Sequence, residues 1–169
     1  MRVNTLDELF AVELQELFSA EQQILQALPQ LAQMASTPEL QQALQEHEAQ
    51  TRGQVQRLEQ IFQRMGLGAA AGDGRALQAL ISEAQEKLQN IEQPAVRDAF
   101  IIAAQQKVEH FEISCYGTAR SHALQLNNTD AAELLQATLE EEEQTDQRLS
   151  RLAENRVNDE ADPQHVQGS

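Results

Sequence analysis

Hydrophobic residues recur at three- and four-residue steps through most of the chain, which is the period of amphipathic helices. Leu6, Phe10, Leu17, Ile24, Leu28 and Leu31 mark a first helix, with Glu13 and Glu21 on the same line. Thr5-Leu-Asp-Glu8 opens it as a capping box, since the threonine hydroxyl and the glutamate can satisfy each other's backbone amides. Pro29 lacks an amide proton and predicts a kink in the last turns. Ser36-Thr-Pro-Glu39 closes this element and starts the next, with Thr37 as N-cap and Pro38 in the first turn. The second helix carries Leu40, Leu44, His47, Thr51, Val55, Leu58, Phe62 and Met65. Gly66 to Gly74 is a glycine- and alanine-rich break that predicts a flexible connection. A shorter amphipathic segment, about 75–91, follows it, and a long helix runs from Gln93-Pro94 to Asn127-Asn128. Asn128 or Thr129 caps a last helix bearing Leu135, Glu142, Asp146, Leu149 and Leu152. The bundle is expected over 1–157, and the polar stretch 158–169 reads as a fraying tail.

Hairpin, crossover with a small helix, hairpin: this order predicts an all-α, ferritin-like four-helix bundle of two antiparallel hairpins. Position along the helices tests whether its acidic residues can meet. Glu21 lies sixteen residues before Thr37 and Thr51 fourteen after it, while Glu112 lies sixteen before Asn128 and Glu142 fourteen after. At about 1.5 Å rise per residue, these levels agree to within about one turn.

The long helix concentrates the chemistry. In Lys107-Val-Glu-His-Phe-Glu-Ile-Ser-Cys-Tyr116, Glu109, Glu112 and Tyr116 share one face, extended by Ile102, Ala119 and Ala123. A second apolar stripe of Ile101, Ala104, Val108, Phe111 and Cys115 lies alongside. A helix apolar on two adjacent faces is buried, so Glu109 and Glu112 point into a core. Burying an unpaired carboxylate costs several kcal/mol, so each should be protonated, salt-bridged or bound to a metal.

Composition narrows the setting. Seven glycines, four prolines and no tryptophan among 169 residues fit one helical domain. The net charge of -15 opposes nucleic-acid phosphates and anionic membranes. One cysteine excludes an internal disulfide and suits a reducing cytoplasm. No leader pattern opens the chain, and no apolar run approaches the roughly 20 residues of a membrane span.

Several segments resemble the YciF-like branch of the ferritin-like superfamily. They are Phe18-Ser-Ala-Glu21, Gly53-Gln-Val-Gln-Arg-Leu58, Val96-Arg-Asp-Ala99, Ala104 to Gly117, and Thr138-Leu-Glu-Glu-Glu-Glu-Gln-Thr-Asp146. The resemblance runs from Leu6 to about Asn158. It implies a homodimer with room for a dinuclear metal site, in a family associated with bacterial stress responses. This chain departs from the family in carrying Ala49 and Gln50 just before Thr51, where relatives have acidic residues. It also lacks, on that helix, the Glu-x-x-His pair usual in di-iron relatives.

The candidate metal ligands are Glu21, His47, Glu109, Glu112, Glu142 and Asp146, and each has a plainer alternative. The glutamates and Asp146 could instead pair with arginine or lysine across the helices, and His47 could be a hydrogen-bonded core histidine. Glu140, Glu141 and Glu143 read as a solvated face, Glu13 and Glu16 as rim or dimer contacts. His110 reads as an outer contact or surface residue and Cys115 as inert packing, while Tyr116 either donates to a carboxylate or packs. A carboxylate-rich set with little nitrogen favours iron or manganese, with zinc admissible. Oxidation of Fe(II) by oxygen or peroxide is the chemistry such a site points to. The competing reading is a non-enzymatic stress-response scaffold whose acidic cluster is structural or vestigial. Ile101, Val108 and Phe111 are offered as apolar surface for a dimer.

Overall fold

A computed structural model of the chain describes residues 2–162, and all of the regular structure in them is helical. Helices α1 (Leu6–Met34) and α2 (Pro38–Arg64) form one antiparallel hairpin. The crossover carries α3 (Arg75–Leu88), and α4 (Pro94–Gln125) with α5 (Thr129–Leu152) form the second hairpin. The hairpins pack α1 on α4 and α2 on α5, and α3 lies across α1 and α4. Beyond Leu152 the chain passes through a π-helical stretch, Ala153–Val157, into α6 (Asn158–Ala161). Val157 is fully buried, so the helical body extends past residue 157, where the sequence suggested a tail. Residues 163–169 of that expected tail lie outside the described residues.

The local signals act largely as the sequence predicts. Thr5 and Glu8 form the reciprocal capping box. Asn128 caps α5, its side chain accepting from the Ala131 amide. Pro29 is accommodated inside α1, which runs unbroken to Met34. The α1–α2 turn is held differently from expectation. The Thr37 hydroxyl does not cap α2; it donates to Asp98 Oδ2 at 2.6 Å. Asp98, fully buried on α4, also accepts the Ser36 amide at 2.8 Å and the Thr37 amide at 2.7 Å. One carboxylate thus ties the tip of the first hairpin to the second.

The crossover is pinned to α1 where the sequence suggested a flexible link. Gly72 donates its amide to the Gln15 carbonyl at 2.7 Å, and a Cβ there would sit 2.8 Å from the Glu16 backbone nitrogen. Gly74, at φ 58°, opens α3, and its carbonyl accepts from the Gln23 side-chain amide at 3.1 Å. Only glycine fits both the close approach and the left-handed backbone.

The core is two apolar clusters with a polar layer between them. Ile24, Leu28, Leu44, Ile101, Ile102 and Leu149 belong to one cluster. Phe10, Leu14, Leu17, Leu58, Ala119 and Leu135 belong to the other. Each long helix crosses from one to the other, and buried polar residues gather in between: Glu21; His47, Thr51 and Gln54; Gln105, Glu109 and Glu112; Thr138 and Glu142. The antiparallel hairpins bring these four stretches to one level.

Ile101 and Val108 are buried within the chain, and Phe111 packs half-buried on the core. Ile101 and Val108 therefore offer no free dimer surface, and α3 packs against α4 beside them. Replacing Asp98 with alanine should destabilise the protein by about 2–4 kcal/mol, since two amides and a hydroxyl at the turn lose a charged acceptor. Urea unfolding checks this, with an unchanged slope and a lower midpoint as the expected outcome.

Candidate metal centre

Each bundle helix supplies acidic or imidazole side chains to the polar layer because each breaks its apolar line there. Glu109 and Glu112 stand three residues apart on α4, and Tyr116 follows one turn later on the same face. Glu142 comes from α5, His47 from α2 and Glu21 from α1. Glu21, Glu109, Glu112 and Glu142 have no solvent exposure, and His47 has 1%.

His47, Glu109, Glu112 and Glu142 each place a ligand-type atom within 4.8 Å of all the others. His47 Nδ1 lies 3.3 Å from Glu109 Oε1, and Nε2 lies 3.7 Å from Glu142 Oε2. Glu21 stands beside this group and accepts a short hydrogen bond from the Tyr116 hydroxyl. Asp146 does not join it. It accepts from Gln106 at 3.1 Å and lies 3.4 Å from the exposed His110, on the outer side of the α4–α5 contact.

The salt-bridge alternative has a direct test in the partners. Among the described residues, no arginine or lysine pairs with Glu21, Glu109, Glu112 or Glu142. Five of their carboxyl oxygens are buried without any hydrogen-bond partner: Glu21 Oε2, Glu109 Oε2, both oxygens of Glu112, and Glu142 Oε2. His47 Nε2 is likewise buried and unpartnered. Arg57 is engaged by Glu141 through contacts of 2.7 and 2.5 Å and by the Thr138 hydroxyl at 3.1 Å. Glu141 is therefore no solvated bystander, as the run of glutamates suggested, but the ion-pair partner of Arg57 between α5 and α2.

Amides complete the setting, and the sequence did not single them out. Gln105 lies 2.8 Å from Glu109 Oε1 and 3.2 Å from His47 Nδ1 through the same nitrogen. Gln54 donates to Glu142, in a short contact, and to Glu141 at 3.2 Å. Both are buried glutamines on otherwise apolar lines, one turn before Glu109 and two turns after His47. That placement was the available signal, hidden by the many glutamines elsewhere in the chain.

The electrostatics follow from crowding without water. Burial, then the charge of Glu142, pushes the Glu21 carboxyl well above the usual range. Burial, followed by Glu142, Glu21 and Glu109, does the same to Glu112. Burial and contact with Glu142 raise Glu109. Burial lowers the His47 pKa, so its imidazole is neutral near pH 7 and has a lone pair to offer. Burial, then the nearby carboxylates, raises the Tyr116 phenol and keeps it a donor to Glu21.

A divalent cation fits this donor set. It would meet orphaned anionic oxygens and a neutral imidazole, the ligands that iron, manganese and zinc accept. Among the described residues, no helix is long and apolar enough to cross a membrane.

The frame and its centre are those of a ferritin-like helical bundle with buried carboxylates. The chain belongs to the family described as a domain of unknown function, DUF892, which matches residues 5–162. It is 42% identical to Protein YciF of Escherichia coli (strain K12) over 163 residues, 96% of this chain and 98% of that one. The crystal structure of the E. coli stress protein YciF superposes with a TM-score of 0.88, covering 92% of this chain and 99% of that one. YcfI, a putative structural protein from Rhodopseudomonas palustris, superposes at 0.86 with 35% identity, covering 88% of this chain and 94% of that one. The YciF-like resemblance and the all-α bundle are thus borne out.

Two outcomes follow from the crowded charges. Glu21, Glu109 and Glu112 keep protons in the folded chain that the unfolded chain releases near pH 4.3. Their contribution is fully present below that pH and is lost as pH rises toward their folded values. Thermal melts with chelator should therefore fall as pH rises from about 4.3, and with Fe(II) this slope should reverse, because protons then compete with the ion.

Replacing Glu142 with glutamine removes one like charge at constant shape. It should stabilise the chelated protein by about 1 kcal/mol. With anaerobic Fe(II) the same variant should melt below wild type, having lost an anionic ligand. Equal destabilisation in both conditions would reject a metal site.

Proposed function

We propose that this chain is a metal-binding member of its family that acts in a stress response, holding iron or manganese at the buried centre and oxidising Fe(II) with oxygen or peroxide. The observation that carries the reading is the set of five buried carboxyl oxygens that, among the described residues, no lysine, arginine, amide or hydroxyl reaches. A fold stable by only about 5–15 kcal/mol does not keep so many orphaned acceptors without a compensating partner. The stress-response part rests on the 42% identity to the E. coli stress protein.

In this reading, His47, Glu109, Glu112 and Glu142 would hold one ion, which when bound would supply one-electron chemistry toward oxygen or peroxide. Glu21 and the second Glu112 oxygen are the acceptors left for a second ion. Gln105 orients His47 and Glu109, while Gln54 fixes Glu142. Tyr116 positions Glu21 and holds a proton beside it. The apolar clusters above and below exclude bulk water, which strengthens each of these electrostatic contacts. Asp146, engaged by Gln106, is left out of this set.

Elemental analysis after anaerobic reconstitution with Fe(II) should find two ions per chain. One ion per chain would mean that Glu21 is not recruited, and none above background would overturn the reading.

A second reading, a non-enzymatic scaffold, is favoured by the description of the R. palustris relative as a putative structural protein. It predicts intact wild-type stability in chelator and no oxygen consumption on adding Fe(II). We further propose that the chain works as a homodimer in the cytoplasm, on the strength of the family resemblance. Sedimentation at micromolar concentration should give twice the chain mass, and a monomer would remove the claim.

A further inference from the structure

The crossover helix α3 does not close fully on the bundle. Its apolar side, led by Leu80 and Ile81, faces α1 and α4, yet both residues are only half-buried. The reason is a cavity of about 250 Å³ between the three helices. Ile24 and Leu28 of α1 and Val108 of α4 form its other walls. Exposed Gln85 and Gln89 stand at its mouth. At its floor is Gln105, 3% exposed, whose amide nitrogen is the one within reach of His47 and Glu109. The cavity thus runs from solvent to the amide that orients the candidate metal centre.

Two properties define what fits. Among the described residues no charged side chain lines the cavity, in a chain whose net charge is -15 and which offers no cation there. An anionic ligand would be buried without a counter-charge, and an ammonium without a carboxylate at its side, each at a cost of several kcal/mol. An uncharged ligand meets no such penalty. An apolar cavity of about 150 Å³ admits benzene, so the present volume suits about ten heavy atoms by the same scaling. The lining is aliphatic apart from Met34 and the glutamines, with no aromatic ring to stack on, so it suits a flexible apolar chain, and buried Gln105 offers one hydrogen-bonding point.

We propose that this cavity is a binding site for an uncharged aliphatic molecule of medium length, its polar end at Gln105. The site deepens the metal reading by naming what would sit beside the centre. Its test uses metal-free protein, so that failure here and failure of the metal site are told apart.

The probes are 1-octanol and octanoate, which share a chain and differ in charge. Calorimetric titration of chelated protein should show saturable binding of one octanol per chain, with octanoate at least tenfold weaker. Ala84→Phe, on the outer helix, fills the cavity from the α3 side and should weaken octanol binding at least tenfold without lowering the melting temperature. Should that variant fail to fold, Ala104→Leu fills the cavity from α4 and carries the same expectation. Equal affinity for octanol and octanoate overturns the proposal. So does octanol binding that survives both filling variants, or its absence in wild type. An absence of octanol binding together with a dimer that Ala84→Phe dissociates would assign the cavity to a second copy of the chain, and overturns it equally.

Discussion

Four glutamates with no solvent exposure share one layer of this bundle, and among the described residues none has an arginine or lysine partner. In a dry interior the penalty for ionising such a group runs to several kcal/mol, comparable with the whole stability of a domain of this size. The chain can meet it in only a few ways. Some carboxyls keep their protons, as burial and mutual repulsion dictate for Glu21, Glu109 and Glu112. Amide donors from Gln54 and Gln105 and the Tyr116 hydroxyl satisfy some oxygens. The remaining acceptors are left for a ligand that a side chain does not supply. The pairing of Arg57 with Glu141 matters in the same sense, because it spends that guanidinium on a carboxylate outside the four.

Holding this layer together requires that four helices stay in register over their length. The apolar clusters on either side fix the helices laterally, but a shift of one hairpin along the other would separate Glu21 from Glu112 and His47 from Glu142. Asp98 prevents such sliding at one end, since it joins α4 to the α1–α2 turn through three hydrogen bonds. Gly72 and Gly74 fix the crossover to the side of α1, so the path between hairpins is also set. The position of the centre is therefore a consequence of contacts made outside it, at the α1–α2 turn and along the crossover.

The sequence made the bundle legible because every boundary carries a local device: the Thr5–Glu8 box, Pro38, Gly66 to Gly74, Pro94, Asn128. It also placed Glu21, Glu109, Glu112 and Glu142 at one level, because distance from a turn is a one-dimensional quantity. What it missed depends on the angle around each helix and on which neighbour stands there. Asp146 follows Glu142 by four residues, which is about 40° beyond a full turn, and that rotation hands it to Gln106 and His110. Glu141 looked solvated because its partner Arg57 belongs to another hairpin. Ile101 and Val108 looked like spare surface because a pattern on α4 does not say whether α3 or a second chain covers it. Gln54 and Gln105 look like any other glutamine until the carboxylates they contact are known.

The polar layer also gives the fold an unusual division of labour. Stability must come from the two apolar clusters, since the layer between them is unfavourable without protons or a bound cation. Proton and cation then compete for the same oxygens, so the protons that stabilise the centre at low pH are those an ion displaces when it binds. The neutral His47 eases that exchange, because it binds an ion without first releasing a proton at pH 7. Two carboxyls held by uncharged donors, Glu142 by Gln54 and Glu109 by Gln105, keep their oxygens oriented in either state. Amides suit that role better than arginines would: they fix direction without cancelling the charge that draws the cation in.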